Sequence, residues 1–90
     1  MSDTPARILV VDDEASITEF VSYNLRKEGY EVEVAENGDD ALELAHDTAF
    51  DLVVLDVMLP GIDGYEVCRR LRVDSSVPVL FLSARDTELD

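Results

Sequence analysis

The chain has 90 residues, with 21 acidic side chains against 7 Lys and Arg, a net charge of −14, and 47% hydrophobic residues. That length holds one domain with a modest core and no second module of ordinary size. The apolar content fits a folded globule rather than an acidic disordered tail, and the charge argues against unassisted nucleic-acid binding while suiting cations, basic partners or plain solubility.

The first apolar run is Ile8-Leu9-Val10-Val11, a short β-branched segment that reads as a strand. A helical pattern follows, with Ile17, Phe20, Val21 and Leu25 predicted to share one face and Gly29 to stop the helix. The second run, Val32-Glu33-Val34-Ala35, alternates with Glu31 and Glu33, which suits an edge strand with one wet face. Asn37-Gly38-Asp39-Asp40 then places a capping residue and two acids ahead of Ala41, Leu42, Leu44 and Ala45, a helix start. The third run, Leu52-Val53-Val54-Leu55, is apolar throughout, as expected of a strand covered on both faces. Asp63-Gly64-Tyr65-Glu66 has capping-box spacing and opens a helix with Val67, Cys68 and Leu71 inward and Arg69, Arg70 and Arg72 outward. The last run is Val79-Leu80-Phe81-Leu82. Strands alternating with helices predict an α/β fold with a parallel sheet and right-handed crossovers.

With one cysteine, Cys68, and one histidine, His46, neither an internal disulfide nor a Cys/His zinc site can form. Cys68 reads as a buried thiol and His46 as a surface residue of the second helix. No apolar run approaches the ~18 residues of a membrane helix. Met1-Ser2-Asp3-Thr4-Pro5 also lacks the regions of a signal peptide, so the expected location is the cytoplasm, away from membranes.

In open parallel sheets, sites form beyond the carboxyl ends of strands. Here the first run ends in Asp12-Asp13-Glu14, the third in Asp56 and the fourth in Ser83-Ala84. If the first and third strands are neighbours, Asp12, Asp13 and Asp56 converge. Their mutual repulsion then calls for a cation, and hard oxygen donors suit Mg2+ or Mn2+. The competing reading makes these acids solvated loop residues and helix caps, a role Asp13 and Glu14 could fill for the first helix.

Three segments carry a resemblance to a known family. Ile8-Leu9-Val10-Val11-Asp12-Asp13-Glu14 resembles the first strand and acidic pair of response-regulator receiver domains. Asp51-Leu52-Val53-Val54-Leu55-Asp56-Val57-Met58-Leu59-Pro60-Gly61-Ile62-Asp63-Gly64 resembles their phosphoacceptor strand and following loop, and Val77-Pro78-Val79-Leu80-Phe81-Leu82-Ser83-Ala84-Arg85 their fourth strand and switch hydroxyl. The wording of Met58-Leu59-Pro60-Gly61 is most similar to the OmpR/PhoB type of bacterial transcriptional regulator. The resemblance implies a flavodoxin-like (CheY-like) doubly wound parallel sheet, strand order 2-1-3-4, built from four βα units.

It also implies that Asp56 accepts a phosphoryl group from a phosphohistidine on a sensor histidine kinase. Mg2+ would be held by Asp13 directly, by Asp12 through water, by Asp56, and by the backbone carbonyl of Met58. Ser83 would donate its hydroxyl to a phosphoryl oxygen, N–H groups near Val57 and Ala84 would add donors, and Met58 and Arg85 would flank the incoming water. Residues 1–90 would be the N-terminal portion of the domain, truncated before the fifth strand, and so without the family's lysine on that strand. Leu80 and Phe81 would then lie on a bare apolar edge and the first helix would lack a neighbour, which predicts homodimeric or domain-swapped association.

Other function classes stay in view. A phosphatase of the haloacid-dehalogenase kind needs a second Asp two positions after the nucleophile, where this chain has Met58. A binding or scaffold fragment without phosphotransfer is a further class. A dinucleotide-binding module is disfavoured because no G-x-G-x-x-G follows the first run.

Overall fold

The computed structural model describes residues 4–82. The elements run β1 (Arg7–Val11), α1 (Ala15–Lys27), β2 (Glu31–Ala35), α2 (Gly38–Asp47), β3 (Leu52–Asp56), α3 (Gly64–Leu71) and β4 (Val79–Leu82). All strand pairs are parallel, in the order β2-β1-β3-β4. This is the α/β, CheY-like arrangement that the resemblance implied.

The apolar runs of β1 and β3 lie where both sheet faces are covered. Leu9, Val11, Val53 and Leu55 join Val67 and Leu71 of α3 and Ala41 of α2 in one core cluster. Ile8, Val10 and Val54 face the other way, with Val21 and Leu25 of α1 packed against them. β2 is an edge strand, as its alternation predicts: Glu31 and Glu33 are exposed, and Val32 packs toward the α1 side. Val34 on the same strand stays half-exposed. β4 has one neighbour among the described strands, and Leu80 on it is 55% exposed.

The helix signals hold at α1 and α2. Gly29 has φ +99°, its N–H donates to the Arg26 carbonyl, and the Tyr30 N–H donates to the Leu25 carbonyl, which together close α1 in a Schellman motif. Asn37 caps α2, its side chain accepting the Asp40 N–H at 2.8 Å.

The predicted buried face of α1 needs correction. Ile17, Val21 and Leu25 are partly buried, but Phe20 is 69% exposed. Thr18 and Ser22 are buried instead, their hydroxyls donating to the Ala15 and Glu19 carbonyls one turn back. Small side chains let the helix approach the sheet closely, and their internal hydrogen bonds remove the cost of burying them. Phe20 is two residues, about 200° of rotation, from both, and so points away from the sheet.

α3 departs from its capping-box pattern in one respect. Asp63 caps as expected, its Oδ1 accepting the Glu66 N–H at 2.9 Å. Glu66, however, does not reach back to the Asp63 N–H; its carboxylate is held by Arg69 and Arg70. Hydrogen bonds from Arg69, then Arg70, hold the Glu66 carboxyl down from an ordinary 4.5 to about 2. A depressed acid stabilises the fold above its unfolded value and loses that contribution as pH falls toward the folded one. The thermal midpoint of the wild type should therefore exceed that of Glu66→Gln at pH 5 and converge on it by about pH 2, more so at low salt because the pair is exposed. A gap independent of pH would show that the arginines contribute nothing through charge.

Candidate phosphoryl-transfer site

Because β1 and β3 pair with Val11 opposite Leu55, the residues just beyond them, Asp12 and Asp56, come side by side at one end of the sheet. Asp13 follows on the loop into α1. One carboxylate oxygen from each of Asp12, Asp13 and Asp56 lies within 4.8 Å of the others. Asp12 and Asp56 are 6% and 8% exposed, and Asp13 is open to solvent.

Backbone donors orient the two buried carboxylates. The Glu14 N–H donates to Asp12 Oδ1 at 2.9 Å, and the Met58 N–H to Asp56 Oδ1 at 3.2 Å. Among the described residues no donor reaches their second oxygens, and the ion pairs, Arg7 with Glu31 and Glu66 with Arg69 and Arg70, all lie elsewhere. Among the described residues, therefore, no cationic side chain pairs with the negative charge of the cluster. Burial pushes the Asp12 carboxyl above the ordinary carboxylate range; the Glu14 N–H partly offsets this, and the charges of Asp56, Asp13 and Glu14 add to it. Three converging carboxylates, two of them desolvated, with free oxygens and an open side at Asp13, fit a hard divalent cation that keeps some of its water.

The loop between β3 and α3 forms one wall. Met58 is 59% exposed beside Asp13, Pro60 and Tyr65 in a shallow cleft, while Leu59 is buried and anchors the loop to the core. Gly61 has φ +77°, which a side chain would strain. Ser83, Ala84 and Arg85 lie outside the described residues. Lys27 is a last-turn charge on α1 and His46 an exposed last-turn residue of α2, while Asp63 caps α3 and lines the same cleft as Asp13 and Met58 without joining the acidic cluster. Cys68 is half-buried against the core.

Sequence reasoning missed two features of this wall. The Tyr65 ring packs on Phe81 of β4, with centroids 5.1 Å apart, which ties the start of α3 to the neighbouring strand. Gly64 lies directly against the backbone of Asp56 and Val57. A glycine at the first helical position, where most residues are tolerated, was the available signal for that contact.

The family model of response regulator receiver domains matches residues 8–90. The chain belongs to the response regulator receiver domain family. The receiver is similar to chemotaxis protein CheY4 of Vibrio cholerae, with a TM-score of 0.88 and 37% identity over 93% of this chain and 72% of that one. It is also similar to response regulator protein TrrA from Thermotoga maritima, solved in complex with Mg2+ and BeF, at a TM-score of 0.85 and 43% identity over 90% of this chain and 71% of that one. A third relative is the N-terminal domain of a response regulator receiver protein from Methanoculleus marisnigri, at a TM-score of 0.85 and 36% identity over 91% and 69% of the two chains. Receiver domains belong to two-component signalling, where they partner histidine kinases and are typically not turnover enzymes. Among the described residues no helix is long and apolar enough to cross a membrane.

Proposed function

We propose that this receiver accepts a phosphoryl group on Asp56, in a Mg2+-dependent reaction, from the phosphohistidine of a sensor kinase. The observation that carries the reading is the convergence of Asp12, Asp13 and Asp56 with no cationic partner among the described residues. The Met58 N–H holds one Asp56 oxygen, leaving the other free to attack phosphorus. The new O–P bond forms as the P–N bond to the donor imidazole breaks, and the departing nitrogen keeps the electron pair and takes up a proton. Asp12, Asp13, Asp56 and the Met58 carbonyl are the proposed ligands of Mg2+ or Mn2+, and the ion supplies charge neutralisation on the phosphoryl oxygens. Burial of Asp12 and Asp56 strengthens these electrostatic effects by limiting solvent screening. Ser83 is the proposed hydroxyl donor to a phosphoryl oxygen. The complex of the Thermotoga protein with Mg2+ and BeF supports the same chemistry here, at 43% identity.

The finer assignment to transcriptional control, of the OmpR/PhoB type, is supported by the Met58-Leu59-Pro60-Gly61 wording of the loop. The test is exposure to acetyl phosphate, or to beryllofluoride, with and without Mg2+. The expected result is one phosphoryl group per chain, taken up only with the metal and lost in Asp56→Ala. Uptake that survives in Asp56→Ala, or that ignores Mg2+, would sink the assignment.

A further inference from the structure

We infer that Gly64 is a positioning residue for the acidic site, acting on Asp56 and Met58 through the backbone. The inference rests on the phosphoacceptor reading of Asp56.

The four glycines of the chain make different demands. Gly29 and Gly61 have positive φ and nothing within 4 Å of where a Cβ would stand, so the backbone conformation requires them. At Gly38 a Cβ would meet side chains, Ile62 Cγ1 at 2.5 Å and Val67 Cγ2 at 2.6 Å, rather than main chain. Gly64 is the one whose obstruction is main chain. A Cβ there would overlap the Asp56 carbonyl oxygen and come within 2.9 Å of Val57 Cα and 3.0 Å of the Asp56 carbonyl carbon. None of these atoms can turn aside, so either α3 backs away or the end of β3 is displaced.

The hydrogen bonds show where that displacement goes. The Val57 carbonyl accepts the Gly64 N–H at 2.9 Å and the Leu59 N–H at 3.2 Å, so one carbonyl pins both ends of the loop. Met58 lies inside the tighter of these loops, between Val57 and Leu59. Its N–H reaches Asp56 Oδ1 at 3.2 Å, the long end of the useful range, so a few tenths of an ångström would cost the bond its geometry. Close seating of a bare Cα on Val57 therefore sets both the rotation of the Asp56 carboxylate and the place of the Met58 peptide.

Gly64→Ala should weaken Mg2+-dependent beryllofluoride binding about tenfold to a hundredfold, the scale of a sub-ångström misplacement of reacting groups. Leu71→Ala, at the far end of the same helix, is the comparison. It removes core packing two turns away from the Gly64 backbone contact, and should lower the thermal midpoint yet bind beryllofluoride within about twofold of wild type when both are folded in the cold. If Gly64→Ala is poorly folded, trimethylamine oxide can restore the fold, and the binding defect should remain. The amide proton of Met58 gives a readout independent of binding: it should move upfield in Gly64→Ala and stay put in Leu71→Ala as the carboxylate acceptor is lost only in the former. Wild-type affinity together with an unmoved Met58 resonance in Gly64→Ala would overturn the inference. A wild-type protein that binds no beryllofluoride would instead overturn the phosphoacceptor reading, with the Met58 resonance still deciding the role of Gly64.

Discussion

Mg2+ at about ten times its dissociation constant should raise the thermal midpoint of the protein by roughly 6–11 °C. A ligand bound only by the folded state contributes RT ln(1 + [L]/Kd), here about 1.4 kcal/mol, and each kcal/mol moves the midpoint of a domain this size by roughly 4–8 °C. The physical source is the cluster itself. Asp12 and Asp56 are buried close together beside Asp13, and folding without a cation forces their charges into one another's company. The raised value of Asp12 sets the sign of the pH dependence. The folded state holds this proton more tightly than the unfolded one, so the metal-free protein loses stability as pH rises from the ordinary 3.8 through the folded value. Protons and the cation compete for the same oxygens, so the gain from Mg2+ should grow across that window and be small below it. Thermal melts at several pH values, with and without Mg2+, check both statements. An unchanged midpoint at millimolar Mg2+ and neutral pH, or an equal gain in Asp13→Ala, would contradict a cation site in this cluster.

Leu55→Ala should cost about 2–5 kcal/mol, a large part of the ~5–15 kcal/mol that holds a small domain together. Leu55 is fully buried on a central strand, and its side chain fills the core beneath α3 next to Val53 and Val67. Little can collapse into the space it leaves, because β3 is held by strands on both sides. Leu55 also precedes Asp56, so loosening it should weaken beryllofluoride binding along with stability. Leu80→Ala is the contrast. That side chain is 55% exposed on β4, and its loss should stay within about 0.5 kcal/mol. Urea denaturation of the two variants separates them, and similar losses at both positions would refute the packing described for β3.

The strands and the acidic triad were legible in the sequence because both depend on local pattern. Apolar runs bounded by polar residues can be only so many things, and carboxylates at two strand ends meet if the strands do. Strand order was not in the pattern: periodicity allowed any arrangement, and the order β2-β1-β3-β4 came through the resemblance. Hydrophobicity alone points to the wrong side of α1 at Phe20, which is exposed. Thr18 and Ser22 could be buried only because each hydroxyl finds a carbonyl in its own helix, a balance of hydrogen bonding that a hydropathy pattern does not encode. Glu66 was misplaced for a related reason, since two arginines on the next turn compete with the cap for its carboxylate. Gly64 escaped notice because what it touches, the carbonyl of Asp56 eight positions earlier, becomes a neighbour only through the shape of the loop.

The pairing of β1 with β3 also bears on how the molecule comes into being. Arg7 and Asp51, 44 positions apart, clasp each other at the start of these strands: the Arg7 N–H donates to Asp51 Oδ2 at 2.8 Å, and the Asp51 N–H to the Arg7 carbonyl at 2.7 Å. Parallel strands cannot meet through a tight turn, and pairing that closes so long a loop is slow. The β1-α1-β2 unit contains Asp12 and Asp13 without Asp56, and the β3-α3 unit contains Asp56 without the other two. A nascent or half-folded chain thus carries either part of the acidic cluster but never the whole. The proposed ion site is therefore complete only once the central strand pair has closed.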